Sequence, residues 1–219
     1  MLEEGLLAIF PLSNVALFPD LEIPLHIFEP RYRQMIADSL AGARRIGMVT
    51  VRPEAAGDMA GDPAIFPIGC AGIITRARQL PDGRFHLLLR GTERFRVEEE
   101  PPRPGERLYR AARVEMIVDA CDATDATRIE ASRERVMALL DALAAAEGAD
   151  APDAGALGAV DDVRLVNGLS NGLAFSPAEK QRLLEADSIA ERFERLGELM
   201  SFRIAEREAV GSPNSGAFH

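Results

Sequence analysis

Two apolar runs followed by one sharply marked helix start set the pattern of the chain. In AIFPLSNVALFPDLEIPLHIFEPRYRQM, residues 8–35, Ile23, Leu25 and Ile27 alternate with Glu22, Pro24 and His26. A period of two is that of a strand with one buried face, and Pro24, which cannot donate to a ladder, favours an edge or a bulge. In Glu29-Pro30-Arg31-Tyr32 the proline suits a first helical position, and the Glu29 carboxylate stands beside the positive end of the helix dipole. The spacing predicts a helix over 30–40 with Tyr32, Met35, Ile36 and Leu40 on its apolar face and Gly42 as its stop.

Short β-rich runs continue the first half. RIGMVTVR, 45–52, reads as a strand ending at Pro53, and PEAAGDMAGDPAIFP, 53–67, as a long loop that carries Met59, Ile65 and Phe66. GCAGIITRARQ, 69–79, and FHLLLR, 85–90, flank Leu80-Pro81-Asp82-Gly83-Arg84, where Asp-Gly supplies the positive φ of a hairpin turn. Gly91-Thr92 separates this hairpin from a further strand, ERFRVE, 93–98. After the prolines at 101, 102 and 104, LYRAARVEMIV, 108–118, reads as the last strand.

From there the period changes to threes and fours. Ile129, Val136, Leu140 and Leu143 mark a helix over 126–146, with Thr127 and Glu130 spaced as a capping box. The acidic stretch 147–155 reads as a connection. Leu157, Val160, Val163, Val166, Leu169 and Leu173 mark a second helix; Ser176-Pro177-Ala178-Glu179 starts a short third; Ile189, Phe193, Leu196, Met200 and Ile204 form the stripe of a fourth. The expected fold class is therefore α+β, a β-rich unit over 1–118 with one helix and a four-helix region over 119–209, followed by a disordered tail over 210–219.

Composition narrows the function classes. With 47% hydrophobic residues in 219, the chain can pack a core. Its start carries acids where a secretory leader needs basic residues, and no apolar run reaches about 18 residues, so a cytoplasmic protein without membrane contact is expected. Cys70 and Cys121 are isolated, which suits a reducing compartment. A formal charge of −10 makes nucleic acid a poor partner over long range, although Arg76, Arg78, Arg84, Arg90, Arg94 and Arg96 could make a local patch.

The motifs Phe10-Pro11-Leu12, Leu17-Phe18-Pro19, Phe28-Glu29-Pro30-Arg31-Tyr32, Ile68-Gly69 with Ala71 and Ile73, Asp82-Gly83-Arg84 and Gly91-Thr92-Glu93-Arg94-Phe95 come in the order and rough spacing of the LON substrate-binding domain. The chain resembles that domain over Leu6 to Arg203, both as the N-terminal part of ATP-dependent Lon proteases and as free-standing bacterial proteins. It departs at Asp20, where glycine is common after Leu-Phe-Pro, and at Leu108-Tyr109 in place of Pro-Tyr. The resemblance implies a PUA-like β pseudo-barrel, a helical bundle and a non-enzymatic role in binding polypeptides for another machine. A phosphate-cradling G-x-x-x-x-G-K-[ST] is absent: the single lysine, Lys180, lies in Glu179-Lys180-Gln181.

Candidate chemistry is sparse. Ser176 and Lys180 are four apart, but Ser176 suits a helix cap better than a nucleophile. His26, His86 and His219 have no ligands at metal spacing, and Asp119, Asp122, Asp125, Asp161 and Asp162 lack the glycine and closing glutamate of a calcium loop, so neither metal nor cofactor is expected. Met59, Ile65 and Phe66 are the candidates for gripping an unfolded chain, unless their loop folds back on the barrel. Glu29, Arg31, Tyr32 and Arg94 are expected to hold the fold, with Glu29 reaching Arg94 or Arg90. The alternative classes are a small hydrolase with an unrecognised cleft and RNA binding through the barrel.

Overall fold

The computed structural model describes residues 5–119, 123–147 and 153–211. Its strands are β1 (Leu6–Leu12), β2 (Glu22–Ile27), β3 (Arg45–Thr50), β4 (Ile68–Gln79), β5 (Phe85–Glu99) and β6 (Arg110–Ile117). Its helices are α1 (Pro30–Ala41), α2 (Ala123–Glu147), α3 (Ala154–Gly158), α4 (Asp162–Gly172), α5 (Pro177–Leu184) and α6 (Ile189–Gly211). The expected α+β class, strands with one helix and then helices, is what the chain adopts. It divides into two compact units, Met1–Val118 with Asn167–Glu185, and Asp119–Val166 with Ala186–His219. Of the expected tail over 210–219, Val210 and Gly211 belong to α6, and 212–219 lie outside the described residues, as do the middle of the acidic connection, Cys121 and Asp122.

In the first unit the sheet order is β2-β5-β4-β3-β1-β6, and an added pairing of β5 with β6 closes five strands into a ring that leaves β2 outside. All neighbours are antiparallel except β1 and β3. The closure is uneven because β5 serves three partners. Its first half lies between β2 and β4, and its second half between β4 and β6. The expected break at Gly91-Thr92 is a bulge within one strand: the register with β4 slips between Ala71 and Gly72, and Thr92 Oγ1 donates to the Ala71 carbonyl at 3.1 Å. The extra residue bends β5 without ending it.

Inside the ring Leu7, Ile9, Val49, Ala71, Phe95 and Ala112 form the core. The Phe95 ring occupies space that two glycines leave open. A Cβ on Gly47 would stand 2.7 Å from its Cζ, and one on Gly69 would stand 2.8 Å from Cζ and 2.3 Å from the Met48 carbonyl. Helix α1 buries Tyr32, Met35 and Ile36, and Tyr32 meets Phe10 of β1 edge-on at 4.6 Å between ring centroids. Helix α5 carries the expected capping box, Ser176 with Glu179, and Gln181 donates to the Ile68 carbonyl at 2.9 Å.

In the second unit α2 and α6 lie side by side and parallel, since Arg128 meets Glu194 at 2.9 Å and Arg135 meets Ser201 at 3.4 Å at a constant offset. The single helix expected over 157–173 is two. Asp161 accepts the Arg164 N–H at 3.0 Å and so caps α4, while the Arg133 guanidinium takes the carbonyls of Leu157, Gly158 and Val160 as α3 ends. Two terminal caps outweigh the continuity of the apolar stripe.

Leu-Phe-Pro-Asp enters β2 through a second bulge. The Asp20 N–H donates to the Gly91 carbonyl at 3.0 Å, the Gly91 N–H to the Leu21 carbonyl at 2.8 Å, and Asp20 sits at φ 63°. A residue in that left-handed conformation favours glycine. Gly91 is equally constrained, because a Cβ there would lie 2.2 Å from the Phe18 carbonyl oxygen. Asp20→Gly should raise stability by up to about 1 kcal/mol, and Gly91→Ala should lower it by roughly 1 to 3 kcal/mol, both read from urea midpoints.

Both tyrosines of the chain are buried. Burial pushes the Tyr32 phenol up, and burial followed by the hydrogen bond to Asp38 pushes Tyr109 up. A folded-state pKa above the unfolded value near 10 gives stability that is complete below pH 10 and lost as pH rises toward the folded value. Above pH 10 the fold should therefore weaken as the pH rises, by at most about 1.4 kcal/mol per pH unit for each tyrosine. Phenolate absorbance should appear together with loss of circular dichroism; phenolate formed in the intact fold would contradict this.

Candidate polypeptide-binding face

The outer face of β2, β5 and β4 is open. Ile23, Ile27, Phe85, Leu87 and Leu89 turn inward and are buried, which leaves Pro24, His26, His86, Leu88, Arg76 and Arg78 on the other side. Register sets them in two rows, Pro24–Leu88–Arg76 and His26–His86–Arg78. The His26 and His86 rings meet edge-on with centroids 4.8 Å apart. Phe28 follows at 60% exposure, 6.0 Å from His26. A groove of about 630 Å³ runs along the two rows and the Leu25–Leu87–Ala77 row between them, with Phe28 outside its lining. An apolar concavity with a few polar groups at its margin holds an apolar chain and orients it.

The edge beside the groove is also open, since β2 ends the sheet order. The Gly91–Leu21 bond sets the phase of the β2–β5 ladder, so Ile23, Leu25 and Ile27 take the bonds to β5. Glu22, Pro24 and His26 then point their backbone groups away from the sheet, and the missing Pro24 N–H falls where no ladder partner is lost. An extended segment passing this edge can pair with Glu22 and His26.

Glu29 pairs with Arg31 at 2.9 Å and does not make the expected contact with Arg94 or Arg90. Arg31 also donates to the carbonyls of Met59 and Gly61, and its guanidinium lies 4.5 Å from the Tyr32 ring centroid. Arg94 is 1% exposed and donates to the carbonyl of Leu184, the last residue of α5, at 2.8 Å. Its positive charge meets the negative end of that helix dipole. The two motifs thus act at different places: one holds the loop 53–67, the other seats α5. Partner identity is invisible in the sequence because both acceptors are backbone carbonyls.

Met59, Ile65 and Phe66 are all half-buried. Ile65 packs against the ring core and bridges Val51, Phe66 lies 4.9 Å beneath the Arg52 guanidinium, and Arg110 donates to the Pro63 carbonyl at 2.7 Å. The loop is strapped to the barrel by arginines. Of the six arginines that could form a basic patch, Arg94 is buried and Arg84 pairs with Asp82 at 2.7 Å. Arg76 and Arg78 share the open face.

Ser176 Oγ accepts the Glu179 N–H and Lys180 Nζ donates to the Asn171 carbonyl, so each is engaged in or beside the α5 start. Among the described residues no group of three or more His, Cys, Asp and Glu could hold a metal ion. Asp119, Asp125 and Asp162 pair with Arg192, Arg128 and Arg133, and Asp161 is a cap. The open face was legible only in part. FHLLLR turns Leu88 outward by its alternation with His86 and Arg90, but which residues of β4 stand across from it depends on the register shift between Ile74 and Arg76.

A ring of strands with one helix and a helical extension, as here, is the fold of Lon N-terminal domains. It is shared with a Lon N-terminal domain protein from Xanthomonas campestris (TM-score 0.57, 24% identity, 87% of this chain and 96% of that one). It is shared too with the N-terminal domain of Mycobacterium avium complex Lon protease (TM-score 0.66, 16% identity, 90% and 98%). The chain belongs to the ATP-dependent protease La (LON) substrate-binding domain family, whose model matches residues 7–201. It is 28% identical over 206 residues to the Lon protease of Brucella suis biovar 1, covering 93% of this chain and 24% of that protein. With the Lon protease of Dictyoglomus thermophilum it shares 26% over 196 residues, 87% of this chain and 23% of that one. The chain thus spans about a quarter of the length of the curated relatives it matches, and the match is to their substrate-binding domain, not to the protease or ATPase domains.

Replacing Met59, Ile65 and Phe66 together with serine should cost several kcal/mol, because a buried large apolar side chain contributes about 1.5 to 3 kcal/mol. A stable triple variant that captures less denatured model polypeptide would instead give the three residues a binding role.

Proposed function

We propose that the protein binds unfolded or extended polypeptide without a catalytic step of its own. The observation that carries this reading is the open apolar face of β2, β5 and β4, with Phe28 exposed at its end. Apolar surface of this kind, continuous with an unpaired strand edge, suits an extended chain that offers side chains and backbone together. Membership of a substrate-binding domain family supports it. So does the absence of a phosphate-cradling lysine motif from the sequence. No described helix is long and apolar enough to cross a membrane, and the proposed setting is the cytoplasm.

In this reading Glu29, Arg31, Tyr32 and Arg94 build the fold, and Met59, Ile65 and Phe66 are a second, half-covered contact. Leu88 and Phe28 are the first. Phe28→Ser with Leu88→Ser should leave the urea midpoint nearly unchanged and weaken capture of a denatured model protein at least tenfold, since loss of one buried apolar side chain exceeds the roughly 1.4 kcal/mol that a tenfold change requires. Undiminished capture would overturn the assignment. The purified protein should hydrolyse neither ATP nor peptide; turnover that survives repurification and vanishes with one point substitution would place it among the enzymes.

A further inference from the structure

We propose that the open face selects polypeptide segments in which apolar residues are accompanied by carboxylates, with Arg76 and Arg78 holding the carboxylates. The proposal deepens the polypeptide-binding reading and rests on it. Arg76 and Arg78 are exposed, two apart on β4, and stand directly across from Leu88 and His86. Neither guanidinium makes a hydrogen bond or an ion pair among the described residues. By contrast, Arg31, Arg45, Arg84, Arg103, Arg110, Arg128 and Arg133 each meet an acid, while Arg90 and Arg96 of β5 resemble Arg76 and Arg78 in showing no such partner among the described residues.

With 35 acids to 25 basic residues, a protein has carboxylates enough to neutralise surface arginines. Two guanidiniums left unpaired at the margin of a largely apolar groove therefore form a local positive field in an acidic molecule, and with His26 and His86 they are the polar part of its lining. Guanidinium is weakly hydrated and forks onto carboxylate with two parallel hydrogen bonds, so it suits a partly desolvated margin better than ammonium. Positions two apart on a strand lie roughly 6.6 to 6.8 Å from each other, the same repeat as alternate residues of an extended ligand. The occupant that matches is an extended segment with leucine-like side chains over Pro24 and Leu88 and an Asp or Glu beside them. A nucleic acid strand would meet only a short run of guanidiniums on a surface of net charge −10, without a phosphate-length basic track.

The test uses fluorescein-labelled unstructured peptides with one leucine-rich centre and flanks of Asp and Glu, of Asn and Gln, or of Lys, titrated with the whole protein by anisotropy. The acidic peptide should bind about tenfold more tightly than the amide peptide, and the lysine peptide should be weakest. In Arg76→Gln with Arg78→Gln the acidic and amide peptides should bind alike, and high salt should have the same levelling effect on the wild type. Equal affinities in the wild type, with Leu88→Ser weakening all three, would overturn charge selection while polypeptide binding stands. No binding by any peptide would overturn both. Displacement of the acidic peptide by single-stranded RNA, with a steep salt dependence lost in the Arg76→Gln, Arg78→Gln variant, would assign the face to nucleic acid and overturn the proposal.

Discussion

The bend in β5 at Gly91 and Thr92 is the constraint on which the first unit depends. One strand has to lie between β2 and β4 and then between β4 and β6, and a straight fifteen-residue strand cannot serve both pairs. The turn is made where the Phe18 carbonyl comes so close that no side chain fits at Gly91. Two bulges meet there, one in each neighbour's register, and four residues later Phe95 enters the ring between Gly47 and Gly69. Without the bend the ring does not close and the outer face does not separate from the inner one.

Arginine does the fastening that the strands cannot. A guanidinium carries five N–H donors in a fixed fork, so it can collect several backbone carbonyls at once. Arg31 collects them from the loop 53–67, Arg133 from the end of α3, and Arg94 seats the last carbonyl of α5. Lysine, with a single compact charge, could not bridge such sets, which fits a chain that keeps one lysine. The loop that carries Met59, Ile65 and Phe66 owes its order to these fasteners.

The face that remains open is the outer side of β2, β5 and β4, where Pro24, His26 and His86 are exposed. Its chemistry follows from strand register: Pro24 with Leu88 gives it an apolar row, His26 with His86 an aromatic but polar one, and Arg76 and Arg78 one charged margin. An edge strand is normally a liability because its unpaired groups invite other chains. Here the edge adjoins the groove, and in the function proposed above the same exposure serves to take hold of a polypeptide.

Local chemistry settled much of this in the sequence itself. Pro30 after Glu29 starts α1, Asp82-Gly83 turns the hairpin with Gly83 at φ 81°, and Ser176 with Glu179 starts α5, because each depends on residues within one turn of chain. The apolar periods likewise gave the α+β order, and separate short motifs such as Phe28-Glu29-Pro30-Arg31-Tyr32 carried the resemblance to the family. Tertiary structure decided what depends on distant partners. Gly91-Thr92 reads as a break but is a bend, since only the approach of Phe18 explains the glycine. The stripe over 157–173 reads as one helix but is two, since Arg133 lies 24 residues away from the carbonyl it takes at Leu157. Glu29 and Arg94 carry opposite charges and still do not meet, because Arg31 is nearer to one and a helix end claims the other. That Arg76 and Arg78 stand across from Leu88 and His86 was decided last, by the register shift between Ile74 and Arg76 in the neighbouring strand, which no pattern along one strand can record.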